Sequence, residues 1–82
     1  MNWEDAKKAC ESLGNGWRLP NKNELNTLYQ NKDKIGGFTN DLYWSGTKEE
    51  YATPWGQYFG NGTMYYFNEK SYSLYVRAIR TF

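Results

Sequence analysis

Gly16-Trp17-Arg18-Leu19-Pro20-Asn21-Lys22-Asn23-Glu24-Leu25 joins a short buried strand to a capped helix within ten residues, and its reading decides the fold. Pro20 disfavours helical geometry at Leu19 and so holds Trp17 to Leu19 extended, while Asn21 can accept from the backbone N–H groups that open a helix. Glu24 sits three residues after Asn21, where its carboxylate can reach back to the cap. Taken alone, these residues describe a strand, a turn and a helix start common to many mixed domains. The flanking sequence narrows them.

Upstream, Asn2 is placed to cap a first helix whose apolar positions Trp3, Ala6, Ala9, Cys10 and Leu13 recur at helical spacing, with Gly14 to stop it. The second helix is expected from Lys22 to Lys32, with Leu25, Leu28 and Tyr29 as its apolar stripe. From Gly36-Gly37 onward the helical period disappears. Short aromatic runs bounded by turn residues predict strands at Leu42 to Ser45, Trp55 to Phe59, Thr63 to Phe67 and Leu74 to Arg80, with Gly60-Asn61-Gly62 as a hairpin turn. Asn61-Gly62-Thr63 also matches a glycosylation acceptor, but it coincides with that turn. The expectation is an α+β fold, two helices packed on a small twisted antiparallel sheet, with residues 1–82 forming one domain.

Composition bounds the stability and the partners. A chain of 82 residues buries only about 60% of its unfolded surface, so a core of ordinary aliphatics would be marginal. Four Trp, eight Tyr and four Phe add large buried areas at low rotamer cost. Ten Lys and Arg against nine Asp and Glu leave a net charge of +1, which argues against nucleic-acid binding driven by phosphate neutralisation. No run approaches membrane-spanning length, so membrane insertion is not expected. Nothing in the first residues reads as a signal peptide, since Glu4, Asp5, Lys7 and Lys8 follow Trp3 directly. A cell-surface or secreted location would follow if the chain is part of a longer exported protein.

Catalytic constellations are thin. Without histidine the usual general base and zinc ligand are missing, and Cys10, the single cysteine, has no evident activator. Glu4-Asp5 and Glu49-Glu50 are sequence neighbours whose side chains splay apart, a spacing of solvated surface rather than of a two-carboxylate site. No phosphate-loop or dinucleotide glycine pattern occurs, so no cofactor is expected and the chain reads as a non-enzyme.

The better lead is aromatic. Tyr43, Tyr51, Tyr58, Tyr65, Tyr66, Tyr72 and Tyr75 are interleaved with Asn, Ser, Thr and Gly, the composition of recognition surfaces that combine rigid area with adaptable hydrogen bonding. If Phe67, Tyr65, Trp55 and Phe59 face the core, alternation puts Tyr66, Tyr58 and Met64 on the other face. Tyr58, Tyr66, Tyr43, Tyr51 and Asn68 are the candidate ligand-binding residues. Simple coverage of a small sheet would explain any one of these tyrosines. Arg18 reads as structural, and Lys22, Lys32 and Lys34 as a modest basic cluster around the second helix.

Trp3-Glu4-Asp5-Ala6 with Cys10 and Leu13, Trp17-Arg18-Leu19-Pro20 with Glu24-Leu25, Tyr43-Trp44-Ser45-Gly46, Trp55, Gly62 and Val76-Arg77-Ala78-Ile79-Arg80 recur in the order of a known family pattern. In these segments the chain resembles the Lcl C-terminal domain family, the head domains of bacterial collagen-like adhesins and of many surface proteins. The resemblance implies a C-type-lectin-like fold and a role in adhesion or recognition of a glycan, a glycosaminoglycan or a protein surface, with no reaction. It departs from the pattern at Ala78, where the family often has a second cysteine, so no internal disulfide is possible and the case for an oxidising compartment weakens. The fold's distant kinship with sulfatase-modifying oxidases adds no activity, since their paired cysteines are missing. The composition also resembles that of ligand-binding domains diversified by retroelements on this fold.

Calcium-dependent lectins resembling this fold surround the ion with Glu-Pro-Asn or Gln-Pro-Asp and a following Trp-Asn-Asp; here Thr53-Pro54-Trp55 stands in the loop and no Trp-Asn-Asp follows. Binding without calcium is therefore expected, with no metal. Lectin-like relatives also pair an N-terminal strand with the last strand. Met1 lies directly against the first helix, so that strand reads as truncated and Leu74 to Arg80 as an unpaired edge. A homo-oligomer through the closing strands follows as an expectation. The alternative to ligand binding is a structural or oligomerisation head domain with no external ligand.

Overall fold

Asn2 and Asn21 open the two longer helices in a computed structural model that describes residues 1–49, 53–66 and 72–80. The Asn2 side chain accepts from the Asp5 N–H at 2.9 Å, and Glu4 and Asp5 place negative charge at the positive end of α1, Trp3–Glu11. At α2, Lys22–Gln30, the capping box is complete: the Glu24 N–H donates to Asn21 Oδ1 and the Asn21 N–H to Glu24 Oε1, each at 2.8 Å. Trp3, Ala6 and Cys10 are the buried stripe of α1, whereas Leu13 lies past the helix end and is 61% exposed, so it does not belong to that stripe. α2 stops short of Lys32. Asn31 turns its side chain back to the Thr27 carbonyl at 2.9 Å, and a separate short helix follows, α3, Lys32–Ile35.

The strands are β1 (Trp17–Arg18), β2 (Leu42–Glu49), β3 (Thr53–Tyr58), β4 (Met64–Tyr66) and β5 (Ile79–Arg80). They form two antiparallel sheets, β2-β3-β4 and β1-β5, and a parallel bridge pairs Tyr43 of β2 with Tyr75 in the segment before β5. Three helices with these sheets make an α+β fold among the described residues, with one helix and one sheet more than the sequence reading expects.

Adjacent residues of β2 point to opposite faces, so Trp44 and Tyr43 seed separate cores. Trp44 packs with Trp3, Ala6, Cys10, Leu19 and Leu74, while Tyr43 packs with Leu25 and Phe59, flanked by Leu28, Tyr29 and Phe38. The three-stranded sheet is thus covered by α1 on one side and by α2 on the other. Trp17, a core residue by its sequence context, is only half-buried, whereas Trp3 and Trp44 are fully enclosed.

β2 continues beyond Ser45 through an irregularity between Trp44 and Lys48 that ties the layers together. Trp3 Nε1 donates to the Ser45 carbonyl at 2.9 Å, the Gly46 N–H to the Pro20 carbonyl at 2.7 Å, and the Lys22 N–H to Thr47 Oγ1 at 2.8 Å. Ser45 Oγ donates to the Trp55 carbonyl at 2.8 Å, so three consecutive residues anchor α1, the β1 segment, α2 and β3. Gly46 suits this close crossing, where an added Cβ would stand a tight 3.3 Å from Leu19 Cβ.

The closing segment is not left unpaired in the way that the sequence suggests. The Leu74 N–H donates to the Met1 carbonyl at 2.9 Å, Tyr75 N–H to the Leu42 carbonyl at 2.9 Å and Trp44 N–H to the Tyr75 carbonyl at 3.0 Å. Further on, Ile79 and Arg80 pair with Arg18 and Trp17. Its pairing is divided between three short stretches of the same chain, which a one-dimensional reading as a single strand from Leu74 to Arg80 misses.

Candidate functional site

The register of β3 and β4 decides which aromatic residues share a face. Trp55 lies opposite Tyr66, Gly56 opposite Tyr65 and Gln57 opposite Met64. Tyr66 and Met64 therefore share the face of Trp55 and Gln57, the side on which α2 packs, while Tyr58 and Tyr65 point to the other side. Tyr58 and Tyr66 do not share a surface. The sequence expectation had Trp55 with Tyr65 and Tyr66 with Tyr58, and both pairings are reversed.

Tyr66 is 59% exposed and meets Trp55 edge-on, ring centroids 5.2 Å apart at 63°. Lys22 Nζ stands 4.1 Å over the Trp55 ring. Lys22 is the first residue of α2, and its backbone is held by Thr47, so the cation comes from a braced position rather than from a loose loop. Lys32 serves elsewhere: its ammonium donates to the Phe59 carbonyl at 2.7 Å and lies 4.9 Å over the Tyr29 ring. The cluster of Lys22, Lys32 and Lys34 expected from sequence is thus divided, with Lys22 and Lys32 engaged in separate contacts.

Of the other candidate residues, Tyr43 is 4% exposed and belongs to the core. Its ring packs against Phe59 at 4.6 Å and its hydroxyl accepts from the Thr39 N–H at 3.0 Å, so it cannot meet a ligand without unpacking the sheet. Tyr58 is half-buried, its ring folded back on Gly60, where an added Cβ would lie 2.5 Å from the ring. Tyr51 and Asn68 lie outside the described residues. Trp55 and Lys22 are the members that sequence reasoning missed, since their association with Tyr66 depends on register and on where α2 begins. Tyr75, 52% exposed with its ring 5.6 Å from that of Tyr43, is another exposed aromatic, as are Tyr65 and Tyr72, and the Arg77 guanidinium covers Phe38 at 4.7 Å.

A separate cleft of about 280 Å³ lies between α1 and β1, lined by Trp3, Lys7, Glu11, Arg18 and Asn21. Arg18 is already engaged there, its two terminal nitrogens donating to the Glu24 oxygens at 2.6 and 2.8 Å. Hydrogen bonding from Arg18, helped by the Asn21 N–H, lowers the Glu24 carboxyl from 4.5 to about 2. A carboxyl lowered on folding contributes stability that is present above its unfolded value and lost as pH falls through its folded value. The loss should therefore run from about pH 5 down to about pH 2, modest in size because both side chains are about one-third exposed. Glu24→Gln should flatten the acid limb of the melting temperature plotted against pH. An unchanged slope in that variant would show that the pair carries none of the dependence. At the other extreme of access, burial pushes the Cys10 thiol up, away from its thiolate.

Among the described residues no group of three or more His, Cys, Asp or Glu is placed to hold a metal ion. What the Trp55–Tyr66–Lys22 patch can supply is flat aromatic area beside a fixed positive charge, with the Tyr66 hydroxyl as donor or acceptor. No curated protein matches the chain. The family model of the Lcl C-terminal domain matches residues 1–80.

Proposed function

This chain belongs to the Lcl C-terminal domain family, and from that membership and the geometry above we propose that it is a non-enzymatic recognition module of the adhesin type. It takes its ligand, a glycan, a glycosaminoglycan or a protein surface, on the Trp55–Tyr66–Lys22 patch and without calcium. The observation that carries this reading is Tyr66, 59% exposed yet held edge-on against Trp55. A large aromatic side chain that is both wet and held in position loses little conformational entropy on binding, and it offers a ring face and a hydroxyl together. Lys22 adds attraction for acidic groups, which salt should weaken.

A glycan and glycosaminoglycan array probed with the purified protein, with and without a calcium chelator, tests the reading. Binding should survive chelation. Tyr66→Ala should weaken it by about tenfold, equivalent to about 1.4 kcal/mol, with the melting temperature nearly unchanged. Lys22→Gln should reduce its salt dependence. Loss of binding on chelation would overturn the calcium-free mechanism, and full binding by Tyr66→Ala would remove the patch from the site.

A further inference from the structure

β4 is the outer strand of the three-stranded sheet, and among the described residues no strand pairs with its outer edge. The Tyr58 N–H donates to the Thr63 carbonyl at 2.9 Å, which makes those two a bonded pair. Antiparallel strands alternate bonded and non-bonded pairs, so Gly56 and Tyr65 are the next bonded pair, and the N–H and C=O groups of Met64 and Tyr66 point away from β3. Among the described residues no further hydrogen bond reaches Met64 or Tyr66. Sheet edges are normally guarded by charge, proline or a covering element. Here no Asp, Glu, Lys, Arg or Pro occurs from Trp55 to Asn68.

We propose that β4 pairs antiparallel with β4 of a second copy of this chain, joining the two three-stranded sheets into one. The register follows from which groups are free. A two-fold axis at Tyr65 sets Met64 opposite Tyr66 of the second copy, so that the outward N–H and C=O groups of each are exchanged with the other. On one face Tyr65 then meets Tyr65 of the second copy; on the other, each Met64 meets a Tyr66 ring, a sulfur–aromatic contact that prolongs the Trp55–Tyr66 pair. The edge is self-complementary under this operation, and its lack of charge leaves nothing to repel a copy or to select a charged peptide. Three residues bury far less than the roughly 1,200–2,000 Å² of stable complexes, so the dimer is weak and depends on concentration. The inference does not rest on ligand binding. Its consequence for a binding module would be two Trp55–Tyr66 patches side by side, giving avidity on a repeating ligand.

Sedimentation equilibrium from micromolar to millimolar protein tests the pairing, with Tyr65→Lys and Tyr65→Glu as probes, since Tyr65 is 46% exposed and its substitution should spare the fold. The parent chain should gain mass with concentration. Each variant alone should lose that gain, because like charges would face each other across the axis, and an equimolar mixture of the two should recover it. Amide exchange in the parent gives a reading that needs no variant: the Met64 and Tyr66 amides should become more protected as concentration rises, while the Tyr65 amide stays constant. A strictly monomeric parent would overturn the proposal, even if it took up an extended foreign peptide at the same edge. A mass gain unaffected by either substitution would also overturn it, since the contact would then lie elsewhere.

Discussion

Trp44→Ala is expected to cost about 3–5 kcal/mol of unfolding free energy, the range for removing a fully buried large aromatic side chain. Trp44 is completely enclosed and touches the core from both ends of the chain, packing with Trp3 and Cys10 of α1 and with Leu74. Its indole N–H also donates to the Met1 carbonyl at 2.8 Å, so the substitution removes one hydrogen bond as well as leaving a cavity, though that carbonyl keeps the Leu74 N–H. A domain of 82 residues has roughly 4–12 kcal/mol in total, so the substitution should remove between about a quarter and all of its stability. Trp17→Ala is the control. Being half-buried, Trp17 should cost about half as much. Urea unfolding of the two variants separates them, and equal losses would place Trp17 in the core and contradict the packing described here.

Gly62→Ala is expected to cost about 2–4 kcal/mol, from two causes that act at one position. Gly62 has φ +86°, a conformation that penalises a Cβ by about 1–2 kcal/mol. The added carbon would also lie 2.6 Å from Tyr29 Cε2 and 2.9 Å from Cζ, in a ring held edge-on against Phe59 at 5.5 Å and beneath Lys32. The neighbour that must yield is therefore itself packed. Gly14→Ala isolates the backbone component, since Gly14 has φ +114° with nothing within 4 Å of an added Cβ. Melting temperatures should fall further for Gly62→Ala than for Gly14→Ala. Equal shifts would mean that Tyr29 moves aside freely and that α2 is not clamped to the hairpin.

Gln57 shows how closely that clamp is built. Wholly buried, it donates from Nε2 to Asn26 Oδ1 at 2.8 Å and to the Gly62 carbonyl at 2.9 Å, joining α2 to the β3–β4 turn. Among the described residues its Oε1 has no hydrogen-bond partner. A carbonyl left in that condition costs free energy, which makes Gln57 a costly choice for a core position unless the two bonds from Nε2 are worth more in holding α2 on the sheet.

The helix starts were legible in the sequence because capping is local: Asn21 and Glu24 need only three residues of chain to find one another, and they do so wherever the helix is packed. The same holds for the turn at Gly60-Asn61-Gly62, where Asn61 Oδ1 accepts from the Thr63 N–H at 2.9 Å. The order of the segments that match the family pattern was enough to suggest the family, and an aromatic-rich second half was enough to suggest a binding surface. None of that information places a side chain on a particular face. A strand's alternation says which residues share a side, but the register between strands says which side meets the partner's, and a shift by one residue exchanges them.

That is why Tyr58 and Tyr66 separated, why Tyr43 proved to be core under α2, and why Trp55 and Lys22 came together across an interval of more than thirty residues. It is also why the closing segment finds Met1, β2 and β1 as partners, while β4 finds none on its outer side among the described residues. The sequence by itself determined the caps, the turns, the α+β character and the supply of aromatic residues, all set by interactions within a few positions along the chain. Only the tertiary structure decided which tyrosines are buried, which ring stands beside a lysine and which strand edge is left open, because each depends on backbone pairing between residues distant in sequence.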